Sequence, residues 1–182
     1  RFESSPRHYF METINLFPQI LKSFKYSNNT NFLLEEINKI KALYPNKAPS
    51  LFKDAIYTSP NFLFQSYKNF KFLENDIKSL VLKNYNKNCK ITDSWINIYY
   101  KHGYNDFHNH FKNDLAGVLY LKVPKSHPGI NFHNKHNPIQ IFNYKPPSNT
   151  IIFFDGDQYH SSFPNPENTE KIIIAFNISF KD

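Results

Sequence analysis

Between Met11 and about Asn88 apolar residues recur mainly at helical spacing, with extended interruptions. Leu33, Leu34, Ile37 and Ile40 form one stripe, which predicts a helix capped by Asn29 or Thr30 and ended by Pro45. Pro49 and Pro60 make 48–66 a loop with short extended pieces. A second helix is predicted from about Asn69, with Phe72, Leu73, Ile77, Leu80 and Val81 inward and Glu74, Asp76 and Lys78 towards water. After Lys90 the period falls to two. Strands are predicted over Ile91–Tyr100, Leu115–Val123, Gly129–His133, Ile139–Tyr144, Thr150–Phe154, a short piece around His160, and Lys171–Phe180, separated by Pro, Gly and Asn. Helices in front of seven or eight short strands predict an α+β, mainly β fold, a sandwich or jelly roll with the helices on one sheet.

The chain has 182 residues, enough for one core in one domain. With 40% hydrophobic and 18% aromatic residues the bulk is not disordered. No apolar stretch is long enough to span a membrane, and 1–10 lacks the apolar centre of a secretion signal, so a soluble, cytoplasmic protein is expected. Cys89 stands alone, which excludes an internal disulfide and a thiolate metal cluster. The net charge of +7 is spread over scattered lysines, so nucleic acid is not the favoured partner. Both arginines, Arg1 and Arg7, precede the sole methionine, Met11. Residues 1–10 are therefore read as a leader outside the core, and 11–182 as one domain: a lead-in over 11–90 and a β core over 91–182. Four glycines leave no phosphate loop or dinucleotide fingerprint, and Glu35-Glu36 reads as solvated helix charge.

Seven of the eight histidines lie in the β half. His108 and His110, in Phe-His-Asn-His-Phe, point to one face of an extended backbone, which is ligand geometry. A mononuclear site needs a third donor, and His160 follows an apolar strand placed to return beside the pair. On spacing alone the alternative is a pair of surface histidines. His127, His133 and His136 fall in a Pro/Gly/Asn-rich region and read as a solvated loop near the cleft.

The order of features around the pair carries a resemblance. Trp95-Ile96-Asn97 opens a strand and Gly103 turns it; His108-Asn109-His110 comes next, then Gly117-Val118-Leu119-Tyr120-Leu121 and Pro124. Ile151-Ile152-Phe153-Phe154 precedes His160, and Glu170-Lys171-Ile172-Ile173-Ile174-Ala175-Phe176-Asn177 closes the run. From about Ile91 to Phe180 this resembles the double-stranded β-helix of iron(II)- and 2-oxoglutarate-dependent oxygenases, especially those of marine bacteria and their phages. Leu16-Phe17-Pro18 and Phe72-Leu73-Glu74 resemble that group's helical lead-in. The resemblance implies a double-stranded β-helix (jelly roll) with an N-terminal helical lead-in packed on one sheet. It further implies a dioxygenase, taken as a hydroxylase of an unidentified substrate, that uses Fe(II), 2-oxoglutarate and dioxygen, with no membrane partner.

Carried over by position, His108, His110 and His160 take the metal positions, His110 standing where the superfamily has Asp or Glu. Three neutral imidazoles leave the iron one unit more positive than two imidazoles and a carboxylate. Asp106, two before His108 and on the same face, is the alternative donor, with His110 behind it. The far carboxylate of 2-oxoglutarate meets an arginine in most of the superfamily; here Lys171 takes that place, with charge but without a bidentate fork. Tyr120 is the helper hydroxyl, Asn97 a donor to the chelating end, and Asn177 lies on the same side of the strand as Lys171. The alternatives are a solvated Lys171, a core Tyr120 and an Asn97 that only holds its strand. Trp95 is expected to pack, and Asp155 and Asp157 to shape a turn at Gly156. Loops 104–107 and 127–137 are expected to edge the mouth. Two other classes keep the fold: a three-histidine metal dioxygenase that does not use 2-oxoglutarate, and a non-enzymatic binding module for a glycan or protein.

Overall fold

A computed structural model of the chain describes residues 11–16, 19–45 and 55–181. The expected leader 1–10, Phe17-Pro18 and the first part of the expected loop at 48–66, up to residue 54, lie outside the described residues. The seven strands predicted after Lys90 are present as β4 (Cys89–Tyr99), β5 (Leu115–Lys122), β6 (Ile130–His133), β7 (Ile141–Tyr144), β8 (Thr150–Asp155), β9 (His160–Ser161) and β10 (Lys171–Phe180). Ahead of them run β1 (Met11–Leu16), β2 (Gln19–Lys25), α1 (Thr30–Leu43), β3 (Ile56–Thr58), α2 (Leu63–Ser66) and α3 (Lys71–Tyr85).

Among the described residues ten strands form two antiparallel sheets, a large one in the order β1-β2-β8-β5-β10-β4-β3 and a small one in the order β7-β6-β9. This mainly β, two-sheet arrangement fits a jelly roll. Strands β5, β8 and β10 are buried on both faces, which explains their near-continuous apolar runs. Leu119, Ile151, Phe153, Ile174 and Phe176 share one core cluster with Leu33, Ile37, Leu73, Ile77 and Leu80, so α1 and α3 pack on one face of the large sheet. Val118, Tyr120, Ile152, Phe154 and Ile173 join Ile130 and Phe132 of β6 in a second cluster, between the sheets. Phe153 anchors the first, edge-on to Phe24 at 5.6 Å, Phe176 at 5.9 Å and Tyr85 at 6.4 Å. None of the described helices is long and apolar enough to cross a membrane.

Three expectations are corrected. The lead-in does not begin as helix: Met11–Lys25 forms two paired strands, and β2 pairs with β8 through Lys22↔Phe153 to Lys25↔Thr150, extending the large sheet. Its signal was faint because Leu21 enters the core between the sheets and Phe24 the core under the helices, so burial does not follow a simple period of two. Asn29 starts α1 in the left-handed region (φ 51°) and makes no side-chain cap. Glu74 is buried, held between Lys71 and Lys78 at 2.6 and 2.5 Å, instead of facing water.

β4 carries a bulge near its start. Asn177 of β10 pairs with Asp93, but the next residue, Ile178, pairs with Ile91, so Thr92 is skipped. Cys89 and Ile91 therefore face the helices together with Ile96 and Ile98, and Asp93, Trp95, Asn97 and Tyr99 share the opposite face.

Candidate metal centre

His108 and His160 meet in an isolated antiparallel bridge that adds the 108 segment to β9. Two backbone bonds close it, His108 N to His160 O at 3.0 Å and His160 N to His108 O at 2.9 Å. His110 is placed from the other side: its N–H donates to Gly156 O at 2.7 Å, and its carbonyl accepts from Asn113 N at 2.9 Å. Gly156 is required here, since a Cβ would sit 1.9 Å from Asn113 O and 3.1 Å from His110 O. The result is one donor atom from each of His108, His110 and His160, all within 4.8 Å of one another.

The ring nitrogens are arranged for ligation. His108 Nδ1 lies 2.7 Å from Asp106 O and His160 Nδ1 lies 2.9 Å from Gln158 O. A carbonyl only accepts, so both Nδ1 atoms carry the proton and each Nε2 keeps its lone pair. Burial, reinforced by His108, holds His160 well below the usual histidine range and pushes His110 down to about 4, with Asp93 opposing the shift at His110. Both imidazoles are thus neutral near pH 7, the form that binds a cation. Three imidazoles converging with two tautomers fixed fit a transition-metal ion.

The triad opens onto a cavity between the sheets. Trp95, Asn97, Tyr120 and Lys171 line it with the three histidines, and among the described residues no acidic one does. Lys171 is buried (4% exposed), correcting the solvated alternative. Its Nζ lies 4.8 Å from the Tyr99 ring centroid and 5.6 Å from that of Tyr120. It has no ion pair among the described residues. Burial without an anion pushes its pKa down to about 8.

Other expected residues fall differently. The Asp106 side chain is not among the gathered donors; its backbone carbonyl orients His108 instead. Asn97 faces the indole N–H of Trp95 at 3.2 Å; that group only donates, so the amide oxygen is the atom facing it. In this orientation Asn97 also accepts from Tyr99 OH at 3.2 Å and donates to Thr58 Oγ1 at 2.8 Å, so it is occupied in tying Trp95 and Tyr99 to β3. Asn177 is buried opposite Asp93 and Ala116 and does not line the cavity. His127 is buried, not solvated: its Nδ1 accepts from Gly129 N at 3.2 Å, and the nearby Lys171 charge adds to the burial that lowers its pKa to about 4. His133 bonds Pro138 O and Ser161 Oγ, and its ring meets Phe107, which stacks on Tyr159 at 4.6 Å. His136 is exposed. The Asp155–Gln158 turn closes through Gln158 N to Asp155 O at 3.0 Å, and Asp157 pairs with Lys135. From the two segments expected at the mouth, Asn105 and Ile130 line the cavity. Tyr99, the ring nearest the lysine, carried no sequence signal of its own, because an aromatic in a half-buried strand reads as core.

Neither a protein-family model nor a curated protein matches the sequence. Solved structures do. The non-haem α-ketoglutarate-dependent carbocyclase SnoK from nogalamycin biosynthesis matches with a TM-score of 0.74 at 8% identity, over 87% of this chain and 78% of that one. HygX from Streptomyces hygroscopicus, solved with nickel and 2-oxoglutarate bound, matches at 0.67 and 9% identity, over 87% and 82%. The viral collagen prolyl hydroxylase of Paramecium Bursaria Chlorella virus-1, solved as its 2-oxoglutarate complex, matches at 0.61 and 15% identity, over 88% and 96%. At such identities the likeness is one of fold: this chain has the fold of the 2OG-Fe(II) oxygenases. The narrower resemblance to the marine bacterial and phage group stays an expectation of the sequence.

Proposed function

We propose that this protein is an iron(II)- and 2-oxoglutarate-dependent oxygenase, a hydroxylase of a substrate not yet identified. The observation that carries the reading is Lys171, a buried ammonium group that faces two aromatic rings and no carboxylate, in the same cavity as three converging imidazoles. A lone buried cation is costly unless an anion joins it. A dicarboxylate held by a metal at one end and by Lys171 at the other supplies that anion.

His108, His110 and His160 are the proposed metal ligands, the first and last through Nε2. When bound, iron(II) supplies an open edge at which a 2-oxo acid chelates and dioxygen is activated as the co-substrate is decarboxylated. Lys171 binds the far carboxylate, with Tyr120 beside it. Asn97 holds Trp95 and Tyr99 in place instead of touching the co-substrate. Ile130, Phe154 and Ile173 keep the cavity wall apolar, which strengthens the ion pair at its floor.

The test is binding of 2-oxoglutarate to anaerobic, metal-loaded protein, compared with Lys171→Ala and His160→Ala. Metal-dependent binding that both substitutions weaken at least tenfold, with metal content kept in Lys171→Ala, supports the reading. Metal binding without 2-oxoglutarate binding overturns it in favour of a three-histidine dioxygenase that acts without the co-substrate. His110 at the position where the superfamily has a carboxylate is the observation that favours this second reading.

A further inference from the structure

The three imidazoles are not held alike. His108 and His160 each donate Nδ1–H to a backbone carbonyl within two residues. His110 makes no ring hydrogen bond among the described residues; its ring packs 5.9 Å from that of Trp95. Two positions before Trp95, on the same face of β4 by the ordinary alternation of a strand, stands Asp93. Its half-buried carboxylate has no hydrogen bond or ion pair among the described residues, and its charge acts on His110. Across the sheet Asn177 pairs with it in register, and Asn177 Oδ1 is buried with no hydrogen-bond partner. Two acceptors without a protein donor thus lie opposite each other on the sheet face whose Trp95 packs against His110, an imidazole whose second nitrogen lacks an acceptor.

We infer that Asp93 is the outer carboxylate of the third metal ligand. It accepts from the non-ligating ring N–H of His110, directly or through one water that accepts from His110 and donates to both Asp93 and Asn177 Oδ1. Such a water satisfies all three groups at once. Asp93 then returns, one step removed from the metal, the negative charge lost when a histidine stands in place of a ligating carboxylate. It also fixes the His110 tautomer, as the backbone carbonyls do for the other two. Asp93 is a positioning residue, and its role rests on the reading of the triad as a metal centre.

The experiment is anaerobic titration of the metal-free protein with Co(II), following both affinity and the visible absorption of the bound ion. Asp93→Asn is expected to lower affinity about 10- to 100-fold and to shift the Co(II) bands, while Glu35→Gln, at an exposed position of α1, leaves the affinity within about twofold of wild type and the bands in place. An Asp93→Asn protein that matches wild type in affinity and spectrum overturns the inference and leaves the metal centre standing. A wild-type protein that binds no Co(II) removes both. Should Asp93→Asn not fold, Asp93→Glu decides: retention of most of the affinity supports a role for the charge, and a loss as deep as that of His110→Ala overturns it.

Discussion

His108 and His160 hydrogen-bond to each other's backbone in both directions, at 3.0 and 2.9 Å. The spacing of two proposed ligands is therefore set by a β-bridge and not by the loop that carries His108. An ion arriving at the triad finds these two donors already placed, so little ordering opposes its binding. His110 depends on a different support, the tight turn over Gly156.

That preorganisation gives a direct readout. Trp95, the only tryptophan, lies 5.9 Å from His110 between ring centroids. Adding Co(II) or Fe(II) to the metal-free protein is expected to quench its emission by more than half. His108→Ala should abolish the quenching yet leave the thermal midpoint of the metal-free protein within a few degrees. Undiminished quenching in that variant would remove His108 from the ligand set.

Lys171 is expected to weaken the very fold it serves. Its pKa is about 8 in the folded chain against an ordinary 10.5. Below pH 8 both folded and unfolded chains hold the proton, and the folded one bears the full burial penalty. Between about 8 and 10.5 the folded chain sheds the proton first, so stability rises with pH through that window by at most about 3 kcal/mol. At pH 7 Lys171→Met should therefore raise the stability of ligand-free protein by about 1–3 kcal/mol, several degrees in Tm, and abolish 2-oxoglutarate binding. A drop in Tm would mean that the cation–π contacts outweigh burial.

The same group predicts a pH profile for binding. Only protonated Lys171 attracts a carboxylate, so the Kd for 2-oxoglutarate should be flat below about pH 7 and rise about tenfold per unit above 8. Lys171→Arg keeps its charge and should flatten the profile. Calorimetry from pH 6.5 to 9.5 checks this, and a wild-type Kd constant over that range contradicts it.

Gly156→Ala places a methyl group 1.9 Å from Asn113 O, backbone that has no rotamer with which to yield. The turn must open, costing about 2–4 kcal/mol, and His110 moves with it through the 2.7 Å bond to Gly156 O. Metal affinity should fall with stability, whereas a substitution at exposed Lys112 changes neither. Differential scanning fluorimetry with and without Co(II) separates the two effects.

The β half was legible because period-two runs there are cut cleanly by Pro, Gly and Asn, and the His108–His110 pair is itself a period-two signal. His160 was legible by its position after an apolar strand, and Lys171 only through the family resemblance, at the start of the last strand. Three features were not. β2 divides its buried residues between two cores, which blurs the alternation. His127 looked solvated in its turn-rich segment, yet the fold tucks it near Lys171. Asp93 alternates with Trp95 and Asn97 on one face, but a lone carboxylate near the start of a strand reads as solvated charge, and only the fold packs the Trp95 ring against His110.

The two ends of the cavity belong to different sheets. His108 and His160 are fixed to the small sheet, while Lys171 sits at the start of β10 in the middle of the large one. A molecule gripped at both ends acts as a rivet between the two layers, and the gap becomes a gauge of its length. On the proposed reading, acids one carbon shorter or longer than 2-oxoglutarate would leave one jaw empty or force the layers apart, so chain length would be selected by the stiffness of the whole sandwich.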